Sequence, residues 1–83
     1  MPKIEIYTTA ICPYCDRAKQ LLKNKKAEYI EIRIDQDEVK REEMMTRSQR
    51  RMVPQIFIDD KPIGGFDDLY ALEQAGKLDE LLK

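Results

Sequence analysis

The sequence predicts a small α/β protein with its elements in the order β-α-β-α-β-β-α. Short stretches rich in β-branched and aromatic residues alternate with longer stretches that have the apolar spacing of helices. A helix between the first two strands makes them parallel through a right-handed crossover, and a short turn between the last two makes them antiparallel. With 83 residues, the chain has room for one domain. We therefore expect a single domain over residues 1–83, with a four-stranded mixed sheet and helices on both faces.

The first strand and the first helix follow from the residue pattern. Lys3 to Thr8 alternates and contains isoleucine, tyrosine and threonine, which predicts a strand. Pro13 to Lys25 has the spacing of a helix. Its predicted buried face carries Cys15, Ala18, Leu21 and Leu22.

The second strand has a regular alternating pattern, whereas the second helix has only a weak apolar periodicity. Glu28 to Ile34 alternates cleanly and predicts a strand. Asp35-Gln36-Asp37 then resembles a helix start, so we expect a helix from Glu38 to about Arg50. Its periodicity is weak. The expected apolar contributions come from Val39, Met44, Met45 and Met52, with the two adjacent methionines filling the core.

The last third of the chain predicts a hairpin and two helices. Val53 to Asp59 is the third strand, Asp60-Lys61 the turn, and Pro62 to Gly64 a short edge strand, where a proline is tolerated. A helix opened by Asp67 and Asp68 ends at Gly76, and Leu78 to Leu82 forms a short terminal helix. The apolar residues of the longer helix are Phe66, Leu69, Tyr70 and Leu72.

The only two cysteines form a C-P-Y-C motif where the first strand gives way to the first helix. Proline is favoured at the first helical position, so Pro13 makes Cys12 the N-cap. Free N–H groups and the helix dipole there favour a thiolate, which lowers the pKa from about 8.5 towards roughly 3.5 to 7.5. Cys12 is the predicted nucleophile. Cys15, one turn later on the same face, is the predicted resolving cysteine.

Other roles for the two cysteines compete with that of a redox dithiol. A structural disulfide is disfavoured because so short a loop hardly restricts the unfolded chain. A zinc site usually takes four Cys or His ligands, whereas this chain has two cysteines and no histidine, so we expect no metal. A metal or cluster shared across a dimer, and inert cysteines, stay open as lesser alternatives.

Composition narrows the partners and the compartment. Fifteen basic and sixteen acidic residues leave a net charge of −1, which argues against a nucleic-acid binder. No apolar run approaches the length that crosses a membrane, and the N-terminus lacks a signal-like segment. We therefore expect a cytoplasmic protein, a compartment in which C-x-x-C beside a β-α pattern indicates redox activity.

Three motifs in this order and spacing resemble the dithiol glutaredoxins of the thioredoxin superfamily, in particular the short bacterial glutaredoxin 3 type. They are Cys12 to Cys15, Val53-Pro54, and the G-G-F-D-D-L stretch from Gly64 to Leu69. The resemblance runs in register over nearly the whole chain. It implies a thioredoxin fold and catalysis of thiol–disulfide exchange, including removal of glutathione from protein mixed disulfides.

The resemblance also implies cofactors and partners. Glutathione is the cosubstrate, and no cofactor is expected to be tightly bound. The expected partners are disulfide-bonded or glutathionylated proteins, among which ribonucleotide reductase is a candidate. We expect a monomer.

Several residues match the family's glutathione-binding positions. Tyr14 matches an aromatic ring beside glutathione, Pro54 a cis-proline facing the active site, and Val53 a backbone that pairs with the ligand as an added strand would. The other matches are Gly65, Phe66, Asp67 and Asp68 around the last helix start, for the γ-glutamyl end, and Arg41, for the glycyl carboxylate, with Thr9 and Pro13 as supporting residues.

Each match has a simpler structural alternative. Tyr14 could be a half-buried aromatic residue at a helix start, and Pro54 an ordinary trans residue. Asp67 and Asp68 could serve as helix caps, a role that one of them is expected to have in any case. Arg41 could be a solvated helix residue.

The chain departs from the family at three positions. Thr9 stands where many members have lysine, Met52 where threonine usually precedes Val-Pro, and Phe66 where cysteine is common. Phe66 moves the sequence towards glutaredoxin-like redoxins that serve ribonucleotide reductase and are reduced by thioredoxin reductase, which is the first alternative function. A glutathione-ligated iron–sulfur cluster module is the second alternative function. Pro13 disfavours it, because in the family cluster binding goes with other residues after the first cysteine.

Overall fold

A computed structural model describes residues 2–83, which form four strands and four helices in the predicted order. The strands are β1 (Ile4–Thr8), β2 (Ile30–Arg33), β3 (Gln55–Ile58) and β4 (Lys61–Gly64). The helices are α1 (Pro13–Asn24), α2 (Glu38–Ser48), α3 (Phe66–Gln74) and α4 (Leu78–Leu81). No helix within this described part of the chain has the length and apolar character needed to cross a membrane.

The strands form one mixed sheet in the order β2-β1-β3-β4. β1 runs parallel to β2, with Tyr7 opposite Ile32, and antiparallel to β3, with Ile6 opposite Ile56. β3 and β4 form the antiparallel hairpin. The predicted mixed sheet and its edge strand β4 are therefore confirmed.

Alternate side chains of the central strands pack against helices on opposite faces of the sheet. On one face, isoleucines of β1 and β3 form a buried cluster with α1, α3 and α4. Its buried members are Ile4, Ile6, Ala18, Leu22, Ile56, Ile58, Leu69 and Leu78. On the other face, Tyr7 and Phe57 pack with Ile34 and with Met44 of α2. This arrangement confirms helices on both faces and Met44 as a core residue.

Strand β2 begins at Ile30, two residues later than predicted. The segment before it is tied to the end of α1, because Ala27 N–H donates to Leu22 O and Lys26 N–H to Lys23 O. This Schellman pattern places Lys26 at a φ of 56° and delays the strand. The sequence alternates from Glu28 as a strand would, but the hydrogen bonds that cap α1 delay the start of the strand to Ile30.

Two apolar residues expected to contribute to the core are exposed instead. Val39 is 71% exposed and Met52 is 74% exposed. Val39 lies in the first turn of α2 beside its N-cap, Asp37, and Met52 lies in the loop beyond the helix. The helix also ends earlier than predicted, at Ser48, because Gln49 adopts a φ of 60°.

The β3–β4 turn lies one residue earlier than predicted. Asp59 and Asp60 have φ values of 51° and 66°, the pair of positive angles found in type I′ hairpin turns. Lys61 therefore belongs to β4. The predicted end of α3 is confirmed, since Gly76 follows the helix at a φ of 73°.

Candidate active site

Cys12 caps the N-terminus of α1, as the sequence predicts. Its backbone is extended, with φ −152°, and Pro13 is the first helical residue. The Cys12 Sγ accepts a hydrogen bond from the Cys15 N–H at 3.1 Å. The sulfur therefore lies beside the backbone N–H groups of the first helical turn, at the positive end of the helix dipole. This position stabilises a thiolate.

The two cysteines are joined as a disulfide, with their Cα atoms 5.1 Å apart. Cys15 is 1% exposed, whereas Cys12 is only partly buried. A partner molecule can therefore approach Cys12 but not Cys15. This difference in access agrees with the assignment of Cys12 as the nucleophile and of Cys15 as the resolving residue.

The loop before Cys12 is held by a carboxylate that sequence reasoning missed. Asp35 Oδ2 accepts a hydrogen bond from the Ala10 N–H at 3.1 Å. Arg33 donates to both oxygens of Asp35, at 2.8 and 2.7 Å, and together with the Ala10 bond it lowers the pKa of that carboxyl to about 2. The sequence could have indicated this contact, because Ala10 and Asp35 each follow a strand and the carboxyl ends of two parallel strands lie at the same end of the sheet.

A groove of about 340 Å³ lies beside the motif. Seven of its lining residues were predicted from the resemblance, namely Tyr14, Val53, Pro54, Gly65, Phe66, Asp67 and Asp68. Three were not, namely Arg50, Met52 and Gln55. Arg41, on the exposed surface of α2, does not line the groove.

The segment before β3 forms one wall of the groove. The Val53–Pro54 peptide bond is cis, as the resemblance implies, and Pro54 is buried. The Val53 carbonyl oxygen lies 3.9 Å from Cys12 Sγ. Within residues 2–83, the Val53 N–H donates to no acceptor. The backbone of Val53 therefore presents hydrogen-bonding groups next to the reactive sulfur.

The start of α3 forms the opposite wall. Gly65 is its N-cap and approaches the other wall closely, since a Cβ there would lie 3.4 Å from Pro54 O. Asp68 accepts the Gly65 N–H at 3.0 Å, which confirms a capping role for one of the two aspartates, and it also contacts Arg50 Nη1 at 3.1 Å. Among the described residues, the Asp67 carboxylate and the N–H groups of the first turn have no partner.

Three aromatic rings continue along one side of the groove. Phe66 stacks on Tyr14 with ring centroids 6.2 Å apart, and on Tyr70 with centroids 5.6 Å apart. The Arg17 guanidinium lies 5.2 Å from the centroid of the Tyr14 ring. Phe66, which departs from the family pattern, is thus the centre of an aromatic row.

The family model described as glutaredoxin matches residues 4–63. The whole chain is 58% identical over 83 residues to glutaredoxin 3 of Escherichia coli, and the alignment covers all of both proteins. The chain belongs to the glutaredoxin family. Its place among the oxidoreductases of that family, with a redox-active Cys12–Cys15 dithiol, follows from this match and from the geometry of the motif.

Solved glutaredoxins share the fold. The solution structure of the Brucella melitensis glutaredoxin matches with a TM-score of 0.86 and 54% identity, covering 98% of this chain and 88% of that one. A buckwheat glutaredoxin crystallised as a glutathione complex matches with a TM-score of 0.90 and 30% identity, covering 98% and 76%. The predicted thioredoxin fold is confirmed.

Proposed function

We propose that this glutaredoxin is a glutathione-dependent thiol–disulfide oxidoreductase that reduces protein disulfides and protein–glutathione mixed disulfides. The groove beside Cys12 is the observation that carries the proposal. It offers the backbone of Val53, the first turn of α3 and the carboxylate of Asp67, groups that have no acceptor or cationic partner elsewhere in residues 2–83. A small peptide with a free carboxylate and a free ammonium suits such a set.

Glutathione would bind with its cysteine beside Cys12. Its backbone would pair with the N–H and C=O of Val53, as an added strand does. Its γ-glutamyl carboxylate would accept from the N–H groups at the start of α3, and its ammonium would contact Asp67. The buckwheat glutaredoxin of the same fold, named as a glutathione complex, supports this assignment. Arg41 remains our candidate for the glycyl carboxylate.

The proposed reaction begins when the Cys12 thiolate attacks the glutathione sulfur of a protein–glutathione disulfide. The protein sulfur leaves as a thiolate, and Cys12 carries the glutathione. A second glutathione thiolate then attacks this adduct, which releases glutathione disulfide and restores Cys12. With a protein disulfide, Cys15 attacks the Cys12 adduct instead, and two glutathiones later reduce the Cys12–Cys15 disulfide.

The resemblance supports the remaining parts of the proposal. Glutathione acts as a cosubstrate rather than a resident cofactor, and the protein works as a cytoplasmic monomer. Its substrates are disulfide-bonded or glutathionylated proteins, among which ribonucleotide reductase is a candidate.

The choice of reductant tests the proposal. The purified protein is assayed on the mixed disulfide of cysteine and glutathione, once with glutathione and glutathione reductase, and once with thioredoxin reductase, each with NADPH. We expect turnover with the glutathione system and little with thioredoxin reductase. Turnover by thioredoxin reductase alone would instead support the redoxin alternative, for which Thr9, Met52 and Phe66 are the departures to exchange first.

A further inference from the structure

A second, apolar pocket of about 250 Å³ lies between α1 and α3, next to the glutathione groove. Its apolar floor and wall come from Leu21, Phe66 and Tyr70. Arg17, Gln20 and Asn24 complete the rim from α1. Tyr70 is 46% exposed, so a large aromatic ring remains in contact with water here. Exposed apolar surface with a polar rim is typical of an interaction site.

The pocket is continuous with the active site through one side chain. Phe66 lines both the groove and the pocket, and it stacks on Tyr14 in the groove and on Tyr70 in the pocket. Phe66 therefore forms part of both sites, so a ligand in the groove and a side chain in the pocket can contact the same ring. A polypeptide whose disulfide Cys12 attacks can place a nearby side chain in this pocket.

The rim of the pocket carries one positive charge that no carboxylate in residues 2–83 neutralises. Arg17 stacks over Tyr14 but forms no ion pair, whereas Lys19 contacts Asp16 and Glu31. The other residues that α1 contributes to the pocket are uncharged. An acidic group next to the apolar part of a ligand would complement this arrangement.

We propose that this pocket binds a bulky apolar side chain of the protein half of a mixed disulfide, with a neighbouring acidic residue contacting Arg17. The inference rests on the proposed function and names its substrate class. The occupant is a polypeptide rather than glutathione, because glutathione has no bulky apolar side chain. Substrate proteins are therefore selected by the residues that flank their cysteine, through aromatic contacts of the kind that dominate protein interfaces.

The test uses a panel of short glutathionylated peptides. One phenylalanine, followed by a glutamate, is moved through the positions on either side of the cysteine, and the reference peptide has alanine at all of them. The wild type is compared with Tyr70→Ala, with Arg17→Gln and with the control Val39→Ala, which changes an exposed apolar residue on α2. The measured quantity is kcat/KM for each peptide, divided by the value for the cysteine–glutathione disulfide.

We expect at least one phenylalanine position to raise this ratio about twofold to tenfold over the alanine peptide, the range of one aromatic contact. Tyr70→Ala should remove the part of the gain due to phenylalanine, Arg17→Gln should remove the part due to glutamate, and Val39→Ala should retain both parts. Equal ratios for all peptides, or an undiminished gain in Tyr70→Ala, would overturn the inference. A dimer in solution that Tyr70→Ala disrupts would also overturn the inference, since a second copy of the chain would then cover the pocket.

Peptide docking can also be measured without glutathione turnover, which separates the two proposals. In Cys15→Ser, the Cys12 thiolate attacks the symmetric disulfide of one peptide, which forms a lasting Cys12–peptide disulfide and releases the other half as a peptide thiolate. The thiol of a second peptide then competes for Cys12 by exchange, until equilibrium is reached. The phenylalanine peptide should outcompete the alanine peptide, and Tyr70→Ala should abolish this preference. Preference without glutathione-dependent turnover would refute the proposed function alone, and turnover without preference would refute the docking site alone.

Discussion

The Ala10 backbone N–H donates a hydrogen bond to Asp35 Oδ2, 3.1 Å away, and this bond connects the end of β2 to the loop that leads into Cys12. Arg33 donates to both oxygens of the same carboxylate. The nucleophile is therefore positioned from two directions, by its own helix and by the neighbouring parallel strand.

The acid dependence of stability should report this carboxylate. The pKa of Asp35 is lowered to about 2 by Arg33 and the Ala10 N–H, and a group with a lowered folded pKa stabilises the fold above its unfolded pKa of about 3.9. The stabilisation is lost as the pH falls from about 4 through 2. Asp35→Asn should therefore be less stable than the wild type at pH 7, and the two should converge near pH 2 in urea unfolding.

Glu28→Gln is the matched control for that measurement. Glu28 is exposed and forms no ion pair within the described residues. In Glu28→Gln, the free energy of unfolding should differ between pH 7 and pH 2 by the same amount as in the wild type. If Asp35→Asn and the wild type differ equally at both pH values, the Asp35 carboxylate does not act as described.

Arg47 should be the most important charged residue for stability. It donates to Glu5 at 3.1 and 3.3 Å and to the Tyr7 hydroxyl at 2.8 Å, and it lies 4.0 Å from the centroid of the Phe57 ring. Removing it leaves the mostly buried Glu5 carboxylate without its arginine. We expect Arg47→Ala to lower the free energy of unfolding by about 2–3 kcal/mol. This is at or below the lower limit of the roughly 3–5 kcal/mol lost when a fully buried pair is broken, because part of the site is solvated.

Arg41→Ala provides the comparison on the same helix. Arg41 is exposed and forms no ion pair in the part of the chain that the structure describes. Its effect on stability should stay within about 0.5 kcal/mol. Equal losses for Arg41→Ala and Arg47→Ala in denaturant unfolding would contradict the role given to Arg47.

The two aspartates at the start of α3 should separate into a ligand-binding and a structural residue. The Asp68 carboxylate is already used by the Gly65 N–H and Arg50, whereas Asp67 has no partner among the described residues. Asp68→Ala should lower the free energy of unfolding by about 1 kcal/mol, as loss of a helix cap does. Asp67→Asn should raise the KM for glutathione about twofold to fivefold, the range of an exposed ion pair. Unchanged KM in Asp67→Asn would refute its assignment.

The sequence predicts what local patterns determine. The order of the elements, the parallel and antiparallel pairing, and Cys12 as the N-cap all follow from periodicity, proline placement and connection length. Seven groove residues could be assigned because the resemblance to the family supplied their role. Their positions in the sequence alone give no indication that Val53 and Phe66 line the same groove.

Side-chain contacts between distant elements could not be predicted in the same way. Arg47 lies in a helix of weak amphipathicity, and nothing in its neighbours indicates that it reaches Glu5 and Tyr7 on β1. The exposure of Val39 and Met52 has a similar origin, because an apolar residue type predicts burial, whereas the helix cap and the loop place these two side chains in solvent. Phe66 was visible as a departure, but its stacking required the three-dimensional arrangement.

Access to the two cysteines predicts their reactivity. After reduction, a small alkylating reagent should modify Cys12 well before Cys15, since Cys15 is 1% exposed and Cys12 lies at the helix start. Mass spectrometry of timed samples measures the two rates. Equal rates in the folded protein, or faster modification of Cys15, would contradict the assignment of nucleophile and resolving residue.

The central claim is that Cys12 carries glutathione during turnover and that Cys15 is dispensable for that step. The most direct test is glutathione-coupled reduction of a glutathionylated substrate by the wild type, Cys12→Ser and Cys15→Ser. We predict that activity is lost in Cys12→Ser and retained in Cys15→Ser, with a Cys12–glutathione adduct detectable by mass spectrometry. Activity that survives in Cys12→Ser, or a folded wild type without glutathione-dependent activity, would contradict the account.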